Sequence, residues 1–218
     1  MAQIFSPAAD TWLRLVLLLI VAATVVLLLA AAGYVRSDYV TAAGWVVGQP
    51  VPFSHQHHVS GLGIDCRYCH DSVEVSSEAG YPPTHTCMTC HSQIWTGAPV
   101  LEPVRQSLAQ GVPLHWNRVA KLPDYVFFRH DIHIHAGVGC VTCHGRIDRM
   151  PLTWRAERFE MQWCLGCHRD PAPNLRPLDR ITDMDWQPPA DRRVLGAALM
   201  KERGIDASKL TSCYTCHR

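Results

Sequence analysis

One stretch decides the fold of this chain of 218 residues. It consists of Phe128-Arg129-His130-Asp131-Ile132-His133 and, after six intervening residues, Cys140-Val141-Thr142-Cys143-His144. Its second part is the pattern Cys-x-x-Cys-His, which occurs five times and uses all ten cysteines. We number these motifs 1 to 5 in chain order. Their cysteines and histidines are Cys66, Cys69 and His70 (motif 1), Cys87, Cys90 and His91 (motif 2), Cys140, Cys143 and His144 (motif 3), Cys164, Cys167 and His168 (motif 4), and Cys213, Cys216 and His217 (motif 5).

This spacing is typical of covalent c-type haem attachment, and the five motifs predict five covalently bound haem c groups. Two thiols bond the two vinyl groups of haem, and the histidine that follows is placed to bind the iron from one face. Zinc would use the cysteine pairs two at a time and leave one of the five over. Neither zinc nor a disulfide framework explains a histidine after every second cysteine.

Eight further histidines remain to bind the opposite face of each iron. The segment Phe53–His58 repeats the pattern Phe-x-His-x-x-His of Phe128–His133, and each repeat precedes a pair of motifs by a similar distance. The repeat predicts four distal iron ligands, which are His55, His58, His130 and His133.

The fifth distal ligand is either His115 or Met161, since methionine also binds haem iron. We expect solvated surface positions for the other three histidines, His57, His85 and His135. Because enough ligands exist to fill both faces of every iron, the sequence favours an electron-transfer subunit over an enzyme with an open iron site.

The motif spacing also predicts the organisation of the chain. We expect an N-terminal anchor (1–40), a first two-haem module with its linker (41–127), a second two-haem module (128–175) and a C-terminal segment with the fifth haem (176–218). So few residues for each haem predict mostly irregular chain with short α-helices, in which porphyrins form much of the core. One longer helix is expected at about 191–203, with a buried stripe of Val194, Leu195, Ala198 and Leu199.

Residues 15–32 are Ala, Val, Leu or Ile throughout, except for Thr24. Eighteen helical residues span about 27 Å, close to the hydrocarbon thickness of a bilayer. This length favours an uncleaved transmembrane helix over a signal peptide. Since haem c is attached outside the cytoplasm, we expect a single-pass protein of the inner membrane, with a cytoplasmic N-terminus and periplasmic haems. The net charge of +1 excludes the basic footprint of a nucleic-acid-binding protein.

The Phe-x-His-x-x-His segments upstream of the motifs resemble those of the c₃ and c₇ multihaem cytochromes. That resemblance implies that His55 ligates the iron also bound by His70, and that His130 pairs with His144. It also implies that the second histidine of each segment, His58 or His133, reaches another haem.

The chain more closely resembles the pentahaem, membrane-anchored cytochrome subunit of alternative complex III. The shared segments are the single N-terminal helix, Pro52–His55, Asp65–His70, Leu122–Tyr125, Gly137–Gly145 and Cys213–Arg218. The chain departs from that family at Ala120, where relatives often carry a histidine. This departure favours His115 as a ligand.

The resemblance implies an electron carrier within a quinol-oxidising respiratory complex. The implied partners are iron–sulfur and polytopic quinol-binding subunits, and a soluble electron carrier or an oxidase that accepts the electrons. Two alternatives are a self-sufficient quinol dehydrogenase that feeds a periplasmic reductase and a multihaem enzyme. The second usually replaces one motif histidine by lysine, which none of the five motifs does.

Overall fold

The computed structural model describes residues 5–217 and divides into two units, Met1–Ala43 and Gly44–Arg218. The first four residues of the predicted anchor segment and Arg218, which closes the C-terminal segment of the resemblance, lie outside the described residues.

The first unit is one long apolar helix, α1 (Pro7–Val35), followed by the short α2 (Asp38–Thr41). Pro7 stands at the first helical position, where its missing N–H breaks no intrahelical hydrogen bond. The polar group of Thr24 is satisfied within the helix, because its hydroxyl donates to the Ile20 carbonyl at 2.9 Å. By length and a mean hydropathy of 3.1, the segment Ala8–Thr41 contains a helix able to cross a membrane.

The second unit consists of short helices joined by irregular chain, as the sequence predicts, and the described residues contain no sheet. Two isolated bridges pair Val46 with Trp154 and Val138 with Leu175. The α-helices are α3 (Cys66–Cys69), α4 (Thr84–His91), α5 (Glu102–Gln110), α6 (His130–Ala136), α7 (Cys140–His144), α8 (Met161–Arg169), α9 (Arg192–Glu202) and α10 (Cys213–Cys216). A π-helical turn covers Gln56–Gly61, and 3₁₀ turns cover Pro99–Leu101, Ile147–Arg149, Ala172–Asn174 and Leu178–Arg180.

Gly137 ends α6 in the left-handed conformation, with φ at 91°. A β-carbon at this position would lie 1.8 Å from Nη1 of Arg203 and 2.7 Å from the Arg176 carbonyl oxygen. Both the turn and the close approach therefore require glycine. The turn leads from α6 to motif 3 in a few residues, so the helix that carries His130 and His133 stays close to Cys140.

The protein packs two small apolar clusters, each against a haem-motif cysteine. Val51, Leu101 and Val104 pack with partly buried Cys87, and Val138, Leu175 and Leu199 pack with partly buried Cys143. Outside these clusters, the buried apolar side chains described in the second unit are Ile134, Met150, Ile181 and Met184. The side chains of this unit therefore supply only part of a core.

The structure confirms the predicted C-terminal helix as α9, with Asp191 and Arg203 at its caps. The predicted buried stripe is only half right. Leu199 is buried and Leu195 is partly buried, but Val194 is 67% exposed and Ala198 is exposed too, and Gly196 is buried in their place. The reason is that α9 approaches the backbone of the Ala172–Asn174 turn along its glycine rather than along its valine.

Replacing Gly196 by alanine tests this approach. Alanine is the better helix former by about 1 kcal/mol, but its β-carbon would lie 1.9 Å from the Ala172 carbonyl oxygen. We expect Gly196→Ala to destabilise the protein by about 1–3 kcal/mol, as overpacking does, measured by thermal unfolding of the haem-loaded protein. The exposed neighbouring position supplies the control, because Ala197→Gly changes only helix propensity. A gain in stability for Gly196→Ala would contradict the close packing.

Candidate haem sites

Each Cys-x-x-Cys-His motif lies at a short helix, and we call the three side chains of motif n site n. The helices are α3, α4, α7, α8 and α10 for sites 1 to 5. Residues three apart lie on the same helix face, so one turn presents both thiols of a motif to the same side. All ten cysteines are free thiols, available for thioether bonds.

Three sites have a second imidazole facing the motif histidine. The ring centres are 6.2 Å apart for His58 and His91, 6.4 Å for His130 and His144, and 6.1 Å for His133 and His168. Metal–imidazole bonds are about 2.0 Å long, so one metal ion held between two facing imidazoles keeps their ring centres about 6 Å apart. The three gaps therefore fit one iron each. The angle between the ring planes is 68° at site 2, 5° at site 3 and 30° at site 4.

At site 1, His55 lies close to His70. Burial, and then the nearby charge of His70, lowers the pKa of His55 to about 4. Burial also lowers the pKa of His144 to about 4, with His130 as the next cause. Both imidazoles are therefore neutral at pH 7, which is the protonation state that binds a metal.

Hydrogen bonds from Nδ1 set the ring orientation of four motif histidines and of the four upstream histidines, and leave Nε2 free to bind a metal. The oxygens that face Nδ1 of the motif histidines are Gly80 O for His70 (2.8 Å), Ile94 O for His91 (3.3 Å), Leu210 O for His168 (2.9 Å) and Tyr125 O for His217 (3.1 Å). The upstream histidines face Thr153 Oγ1 for His55 (3.0 Å), Ser54 O for His58 (2.8 Å), Ser77 O for His130 (2.8 Å) and Arg129 O for His133 (2.7 Å).

The phenylalanine of each repeat holds its two histidines in the same way. Phe53 meets the His55 ring edge-on at 4.9 Å and stacks on His58 at 4.4 Å. Phe128 meets its two histidines edge-on at 4.8 Å and stacked at 4.5 Å. One aromatic ring therefore separates two imidazoles that face different sites. The pattern in the sequence included this residue, but its role becomes visible only from the ring contacts.

Site 5 differs from the other four. His217 stacks on Tyr125 with ring centres 5.8 Å apart, and among residues 5–217 no other histidine ring faces it at the distance seen in sites 2 to 4. The two residues predicted as alternatives for the fifth distal ligand are not placed against His217 by any close contact. Met161 begins α8 and is 67% exposed, and His115 is exposed in the loop after α5.

The three histidines expected at the surface, His57, His85 and His135, are all exposed. His57 stacks near Trp95, with ring centres 6.0 Å apart. His135 lies on α6 with His133, and its Nδ1 likewise donates to a carbonyl one turn earlier, that of Asp131 at 2.8 Å. An Nδ1 hydrogen bond alone therefore does not identify an iron ligand. A motif histidine whose ring faces the candidate is the better criterion.

Contacts between motifs place the sites in a spatial order that differs from chain order. Tyr68 of motif 1 and Thr89 of motif 2 share a hydrogen bond of 2.9 Å. Burial and then the charge of Cys87 raise the pKa of the Cys69 thiol. Site 1 and site 2 are therefore neighbours.

Site 1 also adjoins site 3, because the neighbouring Cys66 thiol raises the pKa of the Cys140 thiol. Site 3 in turn adjoins site 4, since burial, and then the charge of Cys167, raises the pKa of Cys143 to about 12. No sequence pattern announces the contact between Cys66 and Cys140, which lie 74 positions apart.

Site 5 lies at the end of this series, beside site 4. Burial and then the charge of Cys216 raise the pKa of the Cys164 thiol. The Leu210 carbonyl, just before motif 5, accepts the hydrogen bond from His168 of site 4. The spatial order is therefore 2–1–3–4–5, with sites 2 and 5 at the ends.

The donor set fits haem better than a bare metal ion. Within residues 5–217, no three side chains of His, Cys, Asp or Glu form a group that could hold a metal ion on their own. Haem iron needs only two protein ligands, because the porphyrin supplies the other four. Paired imidazoles beside a pair of free thiols are what such a group requires.

Comparison with known proteins supports the class of multihaem cytochromes c. A curated relative in Nitratidesulfovibrio vulgaris strain Hildenborough, "Menaquinone reductase, multiheme cytochrome c subunit", is 34% identical over 125 residues, or 57% of this chain and 53% of that protein. The chain thus spans about half the length of the curated relative it matches. No protein-family model matches the chain.

A pair of histidines on α6 tests the axial ligands. We expect His133→Ala to leave site 4 with a single axial histidine, because His133 faces His168 while His135 faces no second imidazole. The variant should gain a high-spin absorption band and bind carbon monoxide when reduced. His135→Ala on the same helix is the control, since it loses an equivalent Nδ1 hydrogen bond and should keep the original spectrum. Identical spectra for both variants would refute the ligand assignment.

Proposed function

We propose that the chain is a membrane-anchored cytochrome with five covalent haem c groups, which conducts electrons within a quinone-linked respiratory complex. The observation that carries this proposal is the uninterrupted series of neighbouring sites in the order 2–1–3–4–5. A series with two ends suits conduction from one partner to another.

The cofactor supplies one-electron exchange at iron, and the side chains described above determine how readily each iron takes an electron. Paired imidazoles at sites 1 to 4 occupy both faces of each iron and exclude substrates from it. Hydrogen bonds from Nδ1 to backbone carbonyls increase the basicity of the ligand and stabilise the ferric state. Two-histidine sites therefore favour low potentials.

Site 5 is proposed to have the highest potential of the five. No second histidine faces His217, and Met161 or His115 remains as its distal ligand. Methionine raises the potential of haem iron relative to a second histidine. Electrons would then run downhill from site 2 towards site 5.

The apolar helix α1 is proposed to hold the chain in the inner membrane, with the N-terminus in the cytoplasm and the haem unit on the periplasmic side. The small residues Ala22, Ala23 and Ala30–Ala32 offer close packing against helices of partner subunits. We propose that these partners are iron–sulfur and quinol-binding subunits of a complex like alternative complex III, and that a soluble carrier or an oxidase accepts the electrons.

Quinone reduction is the second candidate function, and the name of the curated relative favours it. In that case electrons would enter from a periplasmic donor and leave to menaquinone in a partner subunit. Both directions would use the same haem series.

Mass spectrometry of the intact chain tests the haem number. We expect the mass of the polypeptide plus five haem groups, because every motif presents two free thiols on one helical turn. In Cys213→Ala/Cys216→Ala the mass should fall by one haem, and the high-potential step of a redox titration should disappear. Loss of a low-potential step instead would place the highest potential at another site.

Native electrophoresis of mildly solubilised membranes, with haem staining, tests the assembly. We expect a haem-positive band far larger than the chain's own 24.4 kDa, with iron–sulfur and polytopic subunits identified in it. Stopped-flow mixing of that complex with a menaquinol analogue should then reduce the haems. Reduction only by a reduced periplasmic cytochrome would support the quinone reductase, and a band of the isolated chain would contradict both.

A further inference from the structure

Arg176 is a buried cation without a carboxylate partner, and it lies beside site 3. The residue is 6% exposed, and its Nε has no hydrogen-bond partner. Its Nη1 donates to the carbonyls of Arg180 at 3.3 Å and Asp183 at 3.0 Å. Among residues 5–217, no carboxylate oxygen forms an ion pair with Arg176.

The guanidinium is pressed against the backbone that begins motif 3. A β-carbon on Gly139 would lie 2.4 Å from both Cζ and Nε of Arg176, so Gly139 is what permits this approach. The other side of the guanidinium faces Trp186, with Cζ 4.6 Å from the ring centre. Gly139 directly precedes Cys140, the residue whose thiol meets Cys66 of site 1.

The nearby carboxylates are occupied elsewhere. Asp183 pairs with Arg180 at 3.3 Å, and Asp65 at site 1 pairs with Arg67 at 2.9 Å. Burial of an uncompensated charge is unfavourable for folding, so its retention needs a reason. A role near the haem iron would explain why this charge is retained. Reduction removes one positive charge from the iron site, so a neighbouring cation favours the reduced state.

We propose that Arg176 raises the midpoint potential of the haem at site 3, and to a lesser degree that at site 1, through its buried positive charge, which no protein carboxylate of the described residues pairs with. The inference rests on the proposed haem loading of motif 3. Arg176 does not bind the iron and acts on the haem only through its positive charge. By raising sites 3 and 1 above site 2, it keeps the middle of the series from becoming a barrier to electrons that run from site 2 towards site 5.

Redox titration of the purified, haem-loaded full chain tests this, followed by electron paramagnetic resonance. The near-parallel imidazoles of site 3 (5°) and the strongly crossed ones of site 2 (68°) give distinguishable ferric signals. In Arg176→Met and Arg176→Gln, we expect the reduction equilibrium of site 3 to become about tenfold less favourable, a downward shift of about 59 mV for a one-electron couple. Arg176→Lys, which keeps the charge, should recover most of the shift.

The matched control is Arg105→Met, because Arg105 is also partly buried but is compensated by Glu102. This variant should leave the potential of site 3 unchanged. Full haem content with an unchanged site 3 potential in both neutral variants would overturn the proposal. If both neutral variants lose haem, the wild-type titration decides: site 3 must have a higher potential than site 2, and the reverse order would overturn it. A mass lacking haem at motif 3 would instead show that the proposed function fails.

Discussion

The distance of about 6 Å between the ring centres of facing imidazoles is the constraint on which the other features of the haem unit depend. Two rings from different parts of the chain must face each other at the distance set by two metal–nitrogen bonds plus the distance from each nitrogen to its ring centre. Backbone carbonyls that accept from Nδ1 set the rotation of the rings, and Phe53 and Phe128 set their separation from the next site. Regular secondary structure is short because the chain is shaped around these pairs.

The small amount of apolar packing follows from the same constraint. Two clusters of three buried residues cannot hold together a unit of this length. With haem bound as proposed, much of the free energy of folding would come from contacts with the attached groups and from axial bonds, since groups that bind only the native state stabilise it. Loss of one haem should accordingly weaken the neighbouring sites as well, since Cys66 and Cys140 are in contact.

Much of the site could be predicted from local sequence, because each motif is a single helical turn whose chemistry depends on five consecutive residues. The repeated Phe-x-His-x-x-His segments also indicated the upstream histidines. The spatial order of the sites and the burial of Arg176 depend on contacts between residues far apart in the chain, and no periodicity encodes them. The valine at position 194 was wrongly expected in the core, since the close approach of Gly196 to a carbonyl leaves no apolar signature.

Helix α6 carries two histidines that face different sites, His130 towards site 3 and His133 towards site 4. In every facing pair, the upstream histidine precedes the motif histidine in the chain. A haem unit that is synthesised and translocated in chain order, behind a helix anchored in the membrane, would therefore present each upstream histidine before the attachment motif it faces. If the sites hold haem as proposed, each newly attached haem would meet its second ligand already in place, and the order of synthesis would limit exposure of the irons during assembly.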